Sequence, residues 1–320
     1  MSVFLLKRIV TLVLTLLAAS IVVFAVLEIL PGNAAQMQMG PDASTEVIAA
    51  KTRELGLDLP ASTRYQQWIT GLLHGDMGIS YTYGTPVSEM VQERLLVTVP
   101  LAILAMLIST MLALAAGIYA AAHHKRWGDV GVMGLAQLGI AIPNFWFAIL
   151  LILLFSVKLN WFSAGGFPGW SEDEGGGLWP ALQSLLLPAI SLAVVQAAIL
   201  ARVTRSAVLE VLREDFVRTA RAKGLSRNAV LWRHVLRNAL ISVVTVMGLQ
   251  FASLLAGTIV VEKVFFLSGL GDFIFQAIGN RDLIVVRNCV LLPAAMVIVV
   301  NFHVDMLYAV IDPRIKASDI

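Results

Sequence analysis

Of the 320 residues, 58% are hydrophobic and 14% charged, and the mean hydropathy is +0.82. Soluble domains carry about a quarter of charged residues, so this composition excludes an ordinary soluble domain and demands a lipid environment. The net charge of +2 offers no footing for nucleic acid, and the single cysteine, Cys289, cannot close an internal disulfide.

A membrane-crossing helix needs about 20 mostly apolar residues. Six stretches meet that length, at about residues 9–29, 97–122, 130–157, 182–200, 240–261 and 289–310. Helices are expected because lipid supplies no partners for backbone N–H and C=O groups. The first stretch has a basic start (Lys7, Arg8) and small residues after it (Ala34, Ala35), as a signal peptide does. Its apolar run is longer than the roughly 7–15 residues of a signal core, and it is read as an anchor.

The following segment, residues 31–96, is long enough to have structure of its own. Tyr65, Trp68, Ile69, Leu72 and Leu73 recur at helical spacing, which predicts an amphipathic helix on the membrane surface or against the bundle. Thr85-Pro86 reads as a helix start, with proline at the first helical position. Pro143 predicts a kink or break in the third span. The run GWSEDEGGG, around residues 172–174, reads as a flexible, solvated loop. With both termini cytoplasmic, the inner segments hold 15 Lys and Arg residues and the outer ones 8, the asymmetry expected of that orientation.

Several chemistries lack their residues. No Gly-Lys dipeptide occurs, so the chain has no phosphate-binding P-loop, and no H-E-x-x-H zinc helix is present. The five histidines (His74, His123, His124, His234, His303) show no metal-ligand spacing. Ser268 and His303 form the one serine–histidine pair worth weighing for a membrane protease, and a structural role suits both better. Glu28 and Asp305 are the charges noticed inside spans. A proton- or ion-coupled carrier usually needs ionisable groups at mid-depth, so the driving force is expected on another chain. A self-contained channel or carrier would transport alone.

Residues 202–238 form a large basic cytoplasmic loop with helical periodicity, interrupted at Gly224. Gly224 permits a turn or a close backbone approach. Leu225 then reads as an exposed apolar residue for a partner pocket, and Ser226 as an N-cap. Charge alone leaves two readings open, a docking site or contact with anionic headgroups.

The stretch RTARAKGLSRNAVLWRHVLRNAL resembles the cytoplasmic loop of ABC importer permeases, E-A-A-x3-G-x9-I-x-L-P. Arg218-Thr219-Ala220 stand at E-A-A, Gly224 at the glycine and Leu236 at the leucine, while Arg218 and Arg237 replace the glutamate and proline. R-T-A-R-A-K-G-L is similar to the form used by the dipeptide/oligopeptide/nickel branch. LPGNAA, LHGDMGIS, IPNFW, TRSAVLEVLREDFVRTARAKGL and VDMLYAVIDPRI resemble the same branch, so the likeness covers essentially the whole chain. Phe265 to Gly271 and Asn280 to Ile284 depart from it by lacking the prolines of F-S-W-P-G-L-G and N-R-D-Y-P.

The resemblance implies an all-α polytopic membrane protein of the type I importer fold, with six transmembrane helices. Residues 1–96 would hold the first helix and a long extracytoplasmic segment, and residues 97–320 a five-helix core with the coupling loop. It implies a bacterial cytoplasmic (inner) membrane and a pathway for di- or oligopeptides, with a nickel chelate as the alternative. The implied partners are a second homologous permease, two ATPase subunits and an extracytoplasmic solute-binding protein. ATP and Mg would bind those ATPases, leaving this chain with no cofactor, no metal and no catalytic residue. The implied coupling residues are Arg218, Thr219, Ala220, Ala222, Lys223, Gly224, Leu225 and Ser226.

Overall fold

The structure, a computed structural model, describes residues 2–29, 34–40 and 42–311. The cations Arg314 and Lys316, and parts of the LPGNAA and VDMLYAVIDPRI segments, lie outside the described residues. All regular structure among the described residues is helical apart from one isolated β-bridge, Ile79 with Pro86. The chain forms two compact units, one of residues 2–98 and 268–299, the other of residues 99–267 and 300 onward.

The first unit begins with α1 (Ser2–Ile29), continues through α2 (Ala34–Met39), α3 (Thr45–Glu54) and α4 (Ala61–Leu73), and includes the start of α5 (Val87–Ala122). The amphipathic stripe forms α4 and packs inward: Trp68 is buried, while Leu73 points out. Trp68 Nε1 donates to Asn288 Oδ1 (2.8 Å), and Ser20 and Tyr65 share a hydroxyl hydrogen bond (2.8 Å). α5 begins at Val87, one residue after the expected proline start, with Val87 N–H donating to Gly78 O. Val87, Val91, Phe273, Val285 and Cys289 share this unit's core. α12 (Leu270–Gly279) and the first part of α13 (Leu283–Ile311) supply the last three.

The second unit carries the longer apolar helices. α6 (Trp127–Ala141) and α7 (Asn144–Leu151), which runs on through a π-helical stretch Ile152–Lys158, meet at 101°. The break falls at Pro143, as its chemistry requires. Proline donates no N–H and forces the preceding Ile142 out of the helical region, here to ψ 123°. Among the described residues, five continuous helices are long and apolar enough to cross a membrane, and six when that bent pair is counted as one span.

α8 (Leu178–Val211) packs against α6, α7 and α11 (Leu236–Val264). Close approach is bought by glycine: a Cβ on Gly117 of α5 would lie 2.7 Å from Ala201 O, and one on Gly248 would lie 2.4 Å from Val304 Cγ2. The acidic stretch, exposed as expected, folds back on itself as a closed turn. Residues 172–174 make one 3₁₀ turn, Gly176 and Gly177 donate back to Ser171 O and Gly169 O, and a Cβ on Gly176 would strike Gly169 O at 2.2 Å.

At 34 residues, α8 is about 51 Å long, whereas a bilayer's hydrocarbon core is about 30 Å. Its last turns therefore leave the apolar layer. Exposed tryptophans mark both ends of the unit, Trp161 and Trp179 at one and Trp127 and Trp232 at the other, as interfacial aromatics do.

Candidate coupling site

Beyond the end of α8 the chain forms α9 (Asp215–Ala222) and α10 (Arg227–Val230), which leads through a π-helical turn into α11. The eight residues of α9 bury only Val217 and Ala220, three positions apart and so on one face. That face rests on Ala207 and Val208 of α8, Ala121 of α5, and Val235, Leu236 and Ala239 at the entry to α11. A short helix with so little buried surface is held by what it touches rather than by its own propensity. It is thus fixed to the ends of three membrane helices, and its other face is bare.

The end of α9 is a complete Schellman cap. Gly224 N–H donates to Arg221 O (2.9 Å), and Leu225 N–H to Ala220 O (3.3 Å). Gly224 holds φ +84°, the left-handed conformation that costs other residues about 1–2 kcal/mol. A Cβ there would meet nothing within 4 Å, so the glycine serves the turn and presents open backbone to the outside. Ser226 accepts from Ala229 N–H (3.3 Å) and starts α10 as an N-cap. Arg227 ties α10 to the end of α5 through Ala122 O (2.9 Å).

The expected coupling residues therefore sit together but divide by role. Arg218, Thr219, Ala222, Lys223, Gly224 and Ser226 are exposed; Ala220 is buried. Arg218 pairs with Asp215 (3.2 Å) on the open surface, and the Thr219 hydroxyl donates to Asp215 O (3.0 Å). Leu225 is a correction. Expected to be exposed, it is half-buried against the Val217 cluster and closes the hydrophobic side of the cap.

Sequence reasoning passed over Val217, the main anchor, although its spacing to Ala220 was readable. It also passed over Phe216, an exposed aromatic beside the basic face. A third omission lies near the same end of the unit. Asp129, at the start of α6, accepts two hydrogen bonds from Arg205 of α8 (2.6 and 2.7 Å) and one from Lys125 N–H (3.0 Å), with His124 at 3.3 Å. Among the described residues, no group of three or more His, Cys, Asp or Glu could hold a metal ion.

Comparison with known proteins identifies the family. Residues 113–317 match the family model described as "Binding-protein-dependent transport system inner membrane component", and residues 1–102 match its N-terminal companion. A Brucella abortus chain provisionally named a peptide transport system permease protein is 42% identical over 316 residues, 99% of each chain. The glutathione transport system permease protein GsiC of Salmonella typhimurium is 42% identical over 313 residues, 98% of each chain. Among solved structures, an inward-facing form of the methionine ABC transporter MetNI superposes with a TM-score of 0.58 at 16% identity. That match covers 70% of this chain and 96% of the other, a likeness of fold. The chain belongs to the binding-protein-dependent transport system inner membrane components, the multi-pass permease subunits of ABC importers.

Proposed function

We propose that the chain forms half of a pathway that carries di- or oligopeptides across the cytoplasmic membrane of a bacterium. Support for the solute class comes from the peptide and glutathione permeases to which it is similar along its whole length. In this reading a second homologous permease supplies the other half, an extracytoplasmic binding protein delivers the solute, and two ATPase subunits hydrolyse ATP with Mg. Both termini lie in the cytoplasm, so α9 and the turn at Gly224 face the ATPases.

The observation that carries the mechanism is the mounting of α9. Its inner face is locked to α5, α8 and α11 through Val217 and Ala220, while Arg218, Thr219, Ala222, Lys223, Gly224 and Ser226 remain outside. A helix fitted into a cleft of an ATPase would follow that subunit when the ATPase pair closes. Because α9 is fixed to three membrane helices, its displacement becomes a rigid tilt of those helices. ATP then biases the pathway between outward and inward openings, provided nucleotide and solute favour different states.

The test is uptake of labelled di- and oligopeptides, with radioactive nickel in parallel, in cells with and without the gene. Loss of peptide uptake, restored by the intact gene and not by Gly224→Arg, is the expected result. Unchanged peptide uptake in cells lacking the chain would refute the solute class. Full function of Gly224→Arg would refute the docking role.

A further inference from the structure

In the first unit, the last turn of α1, the turn after α3, helix α4 and the start of α13 enclose a cavity of about 210 Å³. One wall carries Arg287, whose guanidinium lies over the Trp68 ring, 5.1 Å from its centroid. Arg287 finds no hydrogen-bond acceptor among the described residues, and its Nε is buried without a partner. Buried donors are ordinarily paired, so the Arg287 guanidinium stands on this wall with hydrogen-bonding capacity unused within the described residues.

The neighbouring charges are already engaged. Arg64 pairs with Glu28 and donates from Nε to Leu59 O (3.1 Å). Asp282 accepts from Ser80 (2.6 Å), Thr82 N–H (3.0 Å) and Val285 N–H (3.3 Å). Asp76, at the exposed rim, accepts from Gly78 N–H (2.7 Å). The Tyr81 phenol also lines the cavity, and burial pushes its pKa up from the ordinary value, keeping it a neutral hydroxyl. With Glu28, Asp76 and Asp282 nearby, attraction for an anion rests on directed hydrogen bonds from Arg287 rather than on net positive charge.

We propose that this cavity binds the terminal carboxylate of a peptide solute, with Arg287 as its anchor. The inference rests on the peptide-importer reading above. A guanidinium offers a planar fork that matches a carboxylate with two parallel hydrogen bonds. Trp68, fixed by its bond to Asn288, holds the plane of that fork. Phe24, Leu57, Met77 and Ile284 supply apolar walls for a side chain. The volume is below the roughly 300–1,000 Å³ of pockets that enclose a whole drug-sized ligand. It therefore takes the end of a solute, about one residue, and leaves the rest outside.

The experiment uses the complex of this chain with its partner permease and ATPases, in lipid nanodiscs and without binding protein. Labelled alanyl-phenylalanine is bound at equilibrium and displaced by the unlabelled dipeptide, its C-terminal amide or inorganic phosphate. The amide is expected to compete at least tenfold more weakly. Arg287→Gln should weaken the free dipeptide about ten- to a hundredfold, the loss of charge-assisted hydrogen bonds, and leave the amide unchanged. Ile284→Trp, which fills the cavity and spares the guanidinium, should weaken both; it also answers the question if Arg287→Gln fails to fold.

Equal competition by acid and amide would overturn the proposal. So would displacement by phosphate as strong as by dipeptide, which would mark a phosphate or headgroup site. An Arg287→Gln complex that keeps its dipeptide affinity would also overturn it. The importer reading fails separately, if cells lacking the chain still take up peptides.

Discussion

Gly224 shows how one residue can carry two separable demands. Its left-handed backbone requires glycine for conformational reasons, while the empty space around it imposes no steric limit inside this chain. Gly224→Ala and Gly224→Arg therefore suffer similar backbone strain, and only arginine adds bulk toward a partner. Gly224→Ala should retain most peptide uptake and Gly224→Arg should abolish it; equal loss in both would assign the glycine to the fold alone. The glycine and Ser226 were legible in the sequence because turns and N-caps are local. Leu225 was misread because its partners, Val217 and the α8 end, are distant in sequence or hidden by the helix's register. Arg287 was counted only as a charge outside the membrane, since nothing local signals its seat over Trp68.

At the scale of elements, α9 stands or falls with its two-residue foot. Val217→Asp buries an unpaired carboxylate at that foot. It should release α9 and abolish co-purification of the ATPase subunits, while the permease pair remains assembled. Retention of the ATPases would show that α10 alone suffices. The Asp129–Arg205 pair joins α6 to α8 in the same unit. Asp129 is 3% exposed, so Asp129→Leu or Arg205→Met alone leaves a charge unpaired and should cost about 3 kcal/mol. The double substitution should recover part of that loss. Thermal unfolding of the detergent-purified complex measures both, and strict additivity would deny the coupling. The spans themselves were readable from apolar length, and the α6–α7 bend from Pro143. The Asp129 pair escaped because its members lie 76 positions apart at helix ends, where charges look like solvated flanks.

For the whole molecule, the proposed orientation rests on the count of cations and can be checked with thiol chemistry. Cys289 is fully buried, so the native chain should resist an impermeant maleimide. A cysteine placed at Asp173 should react from outside intact cells, and one at Arg233 only after permeabilisation; the reverse pattern would invert the chain. The sharp elbow between α6 and α7 adds a constraint on what surrounds it. Where two helices meet at 101°, the last carbonyls of the first and the first N–H groups of the second lose their intrahelical partners. Acyl chains cannot replace them, since each unsatisfied group would cost several kcal/mol in hydrocarbon. The elbow at Pro143 must therefore be wetted or covered by protein, and hydration or a subunit seam at that depth is built into the chain by one imino acid.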